Sequence, residues 1–292
     1  MNQKHVVILG DAMLDVVVRA LEPVHLTSDT SSKVRLARGG SAANIGVEVA
    51  LNHQVAFVGV VGDDSAGEVF ARDLRDADVT PLLHVLPGST GVVVAFVNDK
   101  GQRAMLTDRG VNPRLTSEVV RSGLASHFDH LHVSGYTVLD QRTRKLATEA
   151  LWIAHEHGAS TSVDVCSVGP LRQVGAKKFL KAIGPVTMLF ANQEEAKELS
   201  GENDIRNALK FLQERSREVV ITLGKGGAIA SCEGEVVRKP SRNVEVVDTT
   251  GAGDAATGVY LSRRLSGRSC NQSLELAMSR AAQVVRRMGS RP

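Results

Sequence analysis

The residues best suited to chemistry lie in the run Asp248-Thr249-Thr250-Gly251-Ala252-Gly253-Asp254. Its alternating glycines let successive backbone N–H groups point into one concavity. The helical pattern from Ala255 to Leu265 places the positive end of a helix dipole at the same point. Such a nest suits a phosphoryl group in transfer. A carboxylate directly behind it cannot help bind phosphate, because like charges repel, so Asp254 fits a different task, accepting the proton of an attacking hydroxyl. Two other readings stay open. An acidic residue in a first helical turn is favoured by the dipole without any ligand. Gly251 to Ala256 also matches the G-x-G-x-x-G/A dinucleotide fingerprint, although Asp254 would then face a pyrophosphate.

Four further groups of residues could hold a ligand. In Arg38-Gly39-Gly40-Ser41-Ala42-Ala43-Asn44, paired glycines admit close approach to backbone, and Asn44 offers a donor and an acceptor to a sugar hydroxyl. Asp11 and Asp15 follow the first apolar run, and carboxylates accept well from vicinal diols; a solvated loop acid or a cap is the plainer reading of each. Thr222-Leu223-Gly224-Lys225-Gly226-Gly227 forms a glycine-rich turn after an apolar run, suited to a ligand or simply to a hairpin. Asn192 and Glu195 are spaced i, i+3, so they share a helix face and could organise Mg²⁺ through water or merely cap the helix. No G-x-x-x-x-G-K-[ST] occurs, so phosphoryl chemistry must use another cradle.

These residues need a scaffold that brings distant turns together. Strand-length apolar runs at Val6–Leu9, Val55–Val61, Leu131–Ser134, Thr161–Val165, Val186–Phe190, Val219–Leu223 and Val244–Val247 alternate with helical patterns at Ser41–Leu51, Arg142–His157, Ala208–Arg215 and Ser273–Arg287. That rhythm predicts an α/β fold, a doubly wound, mostly parallel sheet with helices on both faces. Two β-rich segments, Thr90–Val97 and Gln102–Thr107, flank the turn Asn98-Asp99-Lys100-Gly101 and read as a hairpin. With a polar stretch from about Asp15 to Arg38, this hairpin makes a small β-rich lid, formed by roughly 12–38 and 88–109, within a single domain over 1–292. An exposed edge of that lid offers a place for a second copy, hence a homodimer through the lid.

Composition narrows the partners. Among 292 residues, 35 basic against 32 acidic side chains give a net charge of +3 without basic runs, and 3% aromatic content leaves few stacking platforms, so nucleic acid is not expected. Cys166, Cys232 and Cys270 lie far apart and read as reduced thiols. The run Val6–Leu9 is too short for a signal peptide and no apolar stretch is long enough for a membrane span, which points to the cytoplasm and to a small-molecule ligand. Lys33, Arg35, Arg38, Arg103 and Arg109 fall in or beside the lid, where they could read an anionic acceptor or keep the flap soluble.

Two segments, GGSAANIGVEVALNHQVAFVGVVGDDSAG at Gly39–Gly67 and DTTGAGDAATG at Asp248–Gly258, resemble the signatures of the ribokinase-like (PfkB) carbohydrate kinase family, in the family's order and over nearly the whole chain. The resemblance implies a Rossmann-like core with a β-rich lid, and ATP-dependent phosphorylation of a sugar or, as in adenosine- or pseudouridine-type members, a nucleoside. It implies Asp254 as base with Gly251, Ala252 and Gly253 as anion hole, and Asp15, Gly39, Gly40 and Asn44 as sugar contacts. Asn192, Thr222, Gly224 and Gly227 would meet the nucleotide, and Glu195 the Mg²⁺. Gly110 and Asn112 are similar to the family's G-x-N element, and Asp248 with Thr250 to positions near a monovalent-cation (K⁺) site. Ala256 departs from a bulky aromatic, and Asp164-Val165-Cys166-Ser167 from an Asp-Pro-Asn type of turn.

Overall fold

The computed structural model describes residues 3–97 and 103–286. Its strands are β1 (His5–Leu9), β2 (Met13–Ala20), β3 (Ser32–Arg38), β4 (Gln54–Gly62), β5 (Val79–Leu86), β6 (Gly91–Val97), β7 (Arg103–Asp108), β8 (His130–Ser134), β9 (Ser160–Asp164), β10 (Val186–Asn192), β11 (Ser216–Thr222), β12 (Ala228–Cys232) and β13 (Glu235–Lys239). The helices are α1 (Ser41–Ala50), α2 (Ser65–Asp76), α3 (Ser117–Gly123), α4 (Gly135–Leu139), α5 (Arg144–Glu156), α6 (Val168–Val174), α7 (Ala176–Ile183), α8 (Gln193–Ser200), α9 (Ile205–Gln213), α10 (Ala252–Leu265) and α11 (Cys270–Val284).

Nine strands form one sheet in the order β13-β12-β11-β10-β9-β8-β1-β4-β5, parallel from β11 to β5, with β12 and β13 added antiparallel at one edge. The continuous apolar runs follow from burial on both faces. Along β1, Val7 and Leu9 enter one core with α5 and α9, while Val6 and Ile8 enter the other with α1, α10 and α11. The second sheet, in the order β3-β2-β6-β7, is built from the two segments that broke the alternation. Its β6–β7 pairing is antiparallel, as a hairpin requires; the turn Asn98–Gly101 lies outside the described residues.

Two expectations are corrected. Residues Val244–Val247 form no strand. β13 is the sheet's edge and Pro240 follows it without an N–H to extend the ladder, so the β-branched residues run as irregular chain, with Val246 and Val247 52% and 54% exposed. The N–H groups of Val247 and Asp248 bond instead to the Val285 carbonyl just past α11. Nor are all three cysteines free: Cys232 and Cys270 form a disulfide, 38 residues apart in sequence, because the end of β12 meets the start of α11. Cys166 alone remains a thiol. No described helix is long and apolar enough to cross a membrane.

Candidate active site

A cavity of about 840 Å³ opens where the carboxyl ends of the parallel strands meet the second sheet. Asp11, Ser134, Asp164, Asn192 and Thr222 line it from the ends of β1, β8, β9, β10 and β11 or just beyond them. Met13, Asp15, Val93, Met105 and Thr107 line it from the second sheet. Open α/β sheets bind ligands at this edge because the turns there are free to vary while the strands hold them in place.

Asp254 enters this cavity from the first turn of α10, which Gly251 opens with φ 74. Its carboxylate is fixed from α1: Ser41 Oγ donates to Oδ1 at 2.8 Å and Asn44 Nδ2 donates to Oδ2 at 2.7 Å. The two helices can lie this close because Gly258 has no side chain; a Cβ there would meet the Ile45 carbonyl oxygen at 2.8 Å and Glu48 Cβ at 2.6 Å. The signature's last glycine thus acts through packing on the position of its aspartate. Nearby, Ala252 N donates to Thr249 O, which withdraws it from the expected anion hole, and Ala255 N donates to Gly251 O, whereas the N–H groups of Gly251, Gly253 and Asp254 meet no acceptor among the described residues. Backbone donors at a helix N-terminus therefore remain available to an anion.

On the second-sheet side, Asp15 is 8% exposed, and a Cβ on Gly39 would fall 2.2 Å from its Oδ1. Gly39 thus makes room for Asp15, while Gly40 itself lines the cavity. Asp11 is held by Arg109 through Nε to Oδ2 at 2.7 Å and Nη2 to Oδ1 at 2.8 Å, and Arg109 Nη1 also pairs with Asp140. Asn112 fixes the chain between β1 and β2, accepting from Ala12 N at 2.8 Å and donating to Ala12 O at 2.9 Å.

At the end of β10, Asn192 and Glu195 form a reciprocal capping box on α8. Asn192 Oδ1 accepts from Glu195 N at 3.0 Å, and the Glu195 carboxylate accepts from Asn192 N at 2.8 Å and Nδ2 at 2.7 Å. Burial lifts the Glu195 carboxyl to about 7 against those hydrogen bonds. Burial also lifts Asp164 to about 8, helped by the charges of Glu195 and Asp254, even though Cys166 N and Thr257 Oγ1 donate to it. The Cys166 thiol is likewise pushed well above its usual value by burial, and beside it Asp164 holds the next largest share.

Six carboxyl groups and one guanidinium line the cavity among the described residues; even with Asp164 holding its proton and Arg109 paired to Asp11 and Asp140, acid outweighs base and would repel a polyphosphate unaided. A divalent cation fits this imbalance. No three described His, Cys, Asp or Glu side chains lie close enough together to cage a metal, so Mg²⁺ would be held through water and phosphate oxygens, its usual mode. The Asp248 Oδ1 atom accepts from Thr250 N at 2.9 Å and Thr250 Oγ1 at 2.7 Å, which braces the turn before α10.

Of the residues singled out in sequence, Asp11, Asp15, Gly40, Asn44, Asn192, Glu195, Thr222, Gly253 and Asp254 line one cavity. Gly39, Gly224, Gly227, Gly251 and Ala252 do not line it themselves. Lys33 and Arg35 are exposed and outside the lining; the side chains of Arg38 and Arg103 lie outside the described residues. Sequence reasoning gave no role to Ser41, Asp140, Asp164 or Cys166. Ser41 sits inside the quoted glycine segment and was within reach of it, whereas nothing near Asp140 in the chain marks it as a partner for Arg109.

The sequence matches the pfkB family carbohydrate kinase over residues 3–292. It is 31% identical over 271 residues to the ATP-dependent ribose-1-phosphate kinase of Halopiger xanaduensis, covering 90% of this chain and 86% of that protein. The crystal structure of adenosine kinase from Sinorhizobium meliloti superposes with a TM-score of 0.89 at 29% identity, over 100% of this chain and 96% of that one. An E. coli structure assigned to ribokinase II, in complex with ATP and Mg²⁺, shares the fold with a TM-score of 0.86 at 22% identity, over 99% and 94% of the two chains. The chain belongs to the pfkB family of carbohydrate kinases. It is a kinase whose acceptors fall within the family's range of sugars and nucleosides.

Proposed function

We propose that this enzyme transfers the terminal phosphoryl group of ATP to a hydroxyl of an unphosphorylated sugar or nucleoside, with Asp254 as general base. One observation carries the reading: a carboxylate fixed on both oxygens stands inside a large cavity, next to backbone N–H groups that meet no acceptor among the described residues. Each carboxylate oxygen accepts two hydrogen bonds, so Asp254 can still receive an acceptor hydroxyl while Ser41 and Asn44 hold it. The acceptor oxygen gives up its proton to Asp254 as it attacks the γ-phosphorus, and the Gly253 and Asp254 amides meet the charge that builds on the transferred group. Mg²⁺, when bound, supplies the positive charge that lets the phosphates enter an acid-lined cavity. Asn192 and Glu195 would orient it through water, Thr222 with the Gly224–Gly227 turn would border the nucleotide, and Asp15 and Asn44 would hold the acceptor. The four-stranded sheet would act as the lid that excludes water. No step is assigned to a K⁺ ion at Asp248, whose facing oxygen already braces Thr250.

Two observations bear on the acceptor. Arg109, the one basic side chain of the described lining, is neutralised by Asp11 and Asp140, which leaves little attraction for a second phosphate there. The wall above it, Met13, Val93, Met105 and Leu139 with Tyr136, is apolar and rich in methionine, which suits the flat base of a nucleoside.

Replacing Asp254 by Asn should lower kcat by about 10²–10⁴ while ATP binding, followed by calorimetry, stays within about twofold. Turnover near that of the wild type would remove Asp254 from the base role. In a thermal-shift panel of ribose, hexoses, adenosine, pseudouridine and ribose 1-phosphate, the true acceptor at 100 times its Kd should add about 2.7 kcal/mol of stability. Ribose 1-phosphate giving the largest shift would defeat the unphosphorylated-acceptor reading.

A further inference from the structure

The Ser41 hydroxyl stands where phosphoryl transfer needs an alcohol. Its Oγ lies 2.8 Å from Asp254 Oδ1, and its only other described neighbour within bonding reach is the weakly interacting Cys166 Sγ at 4.0 Å. Ser41 lines the same cavity as Asp254 and the free amide of Gly253. A serine hydroxyl is a weak nucleophile until a base takes its proton, and a carboxylate within hydrogen-bond reach is the arrangement that activates it. The contact also restricts the site to one hydroxyl. Ser134 is near Cys166 but has no described contact with Asp254, and Thr257 Oγ1 donates to Asp164.

We propose that Ser41 is an internal phosphoacceptor: with ATP bound and no external alcohol in place, the enzyme phosphorylates its own Ser41. This rests on the assignment of Asp254 as base. The bond from Ser41 Oγ to the γ-phosphorus forms as the bond from that phosphorus to the bridging oxygen breaks. ADP leaves with that electron pair, and the hydroxyl proton passes to Asp254. Transfer to Ser41 is slower than to a bound sugar, because Oγ is tied to the first residue of α1 and cannot adjust its line of attack as a mobile ligand can. The product places a phosphate of charge about −1.5 to −2 beside Asp254 and Asn44, in the seat of the acceptor hydroxyl. Modified molecules cannot turn over an external alcohol, so ATP in the absence of acceptor shuts the enzyme down.

The test incubates the full chain with Mg²⁺ and γ-labelled ATP, alone or with saturating ribose or adenosine, and maps phosphate by tryptic mass spectrometry. Wild type, Ser41→Ala and Asp254→Asn are compared. The expected result is phosphate on Ser41 in the wild type, suppressed by whichever probe is turned over and reduced about 10²–10⁴-fold in initial rate by Asp254→Asn. Loss of acceptor activity should track the fraction labelled. Suppression by acceptor is read on the wild type, so the inference stays testable even if a variant misfolds. Absence of phosphate from Ser41 in an enzyme whose acceptor turnover depends on Asp254 overturns this inference and leaves the base assignment standing. Labelling of Ser41 that persists at full rate in Asp254→Asn overturns it as well. Normal acceptor turnover by Asp254→Asn overturns the base assignment and this inference together.

Discussion

Asp164 is a buried carboxyl group whose described partners are both neutral donors, the Cys166 N–H and the Thr257 hydroxyl. With its carboxyl raised from the usual 3.8 to about 8, the folded protein keeps a proton that the unfolded chain releases near pH 4. The stability this group contributes is therefore full below about pH 4 and drains away as the pH rises to 8. Glu195, raised to about 7, acts in the same direction over a narrower span. His130 and His132 act oppositely. Burial holds both neutral down to about 3, so their contribution is present above about 6.5 and is lost on acidification. The difference between wild type and Asp164→Asn isolates the first effect. In the ligand-free protein, the Tm of the variant relative to wild type should climb by on the order of 2–4 °C or more between pH 5 and pH 8, the response of a domain this long to about 1 kcal/mol. A difference that stays flat across that range would mean Asp164 is ionised in the fold.

At the scale of elements, legibility followed the range of the interactions. The strands β1, β4, β10 and β11 were readable because burial on both faces demands a largely apolar run, whereas β8 and β9 mix buried His, Ser and Thr with their Leu and Val and were read from shorter apolar stretches. Helices α1, α5, α9 and α11 were readable to within a few residues from periodicity. Val244–Val247 carries the same residue types but pairs with no strand, its Val247 N–H going to the Val285 carbonyl instead, and a propensity scale cannot register that. The site divides in the same way. Asp254, Asn44, Asn192 and Glu195 were found because each is embedded in a turn whose local chemistry is unusual. The Arg109–Asp11–Asp140 cluster and the pairing of Cys232 with Cys270 are contacts between elements, and no local pattern encodes them. The Ser41–Asp254 contact spans 213 residues and depends on how closely Gly258 lets α10 approach α1.

At the scale of the molecule, the four-stranded sheet has two unlike faces. Asp15, Val93, Met105 and Thr107 turn toward the cavity. On the opposite face, cross-strand pairing lines up Leu36, Val16, Val94 and Leu106 in one row, with Val34, Val18, Phe96 and Ala104 in the next. Leu36, Val34 and Leu106 on that outer face are 64%, 62% and 65% exposed. A sheet face this uniformly apolar is what two sheets bury when they stack, and monomeric proteins rarely leave such a patch open. A second copy packed there would hold the lid in place from behind. The enzyme is therefore expected to run as a dimer in size-exclusion chromatography with light scattering. Each fully buried leucine contributes about 1.5–3 kcal/mol, so Leu36→Glu with Leu106→Glu should weaken the dimer by more than about 10²-fold. Because the same sheet lines the side of the cavity proposed for the acceptor, the monomeric variant should show a raised KM for the acceptor with little change in KM for ATP. A wild type that remains monomeric at tens of micromolar, with acceptor kinetics indifferent to both substitutions, would show that the lid works without a partner.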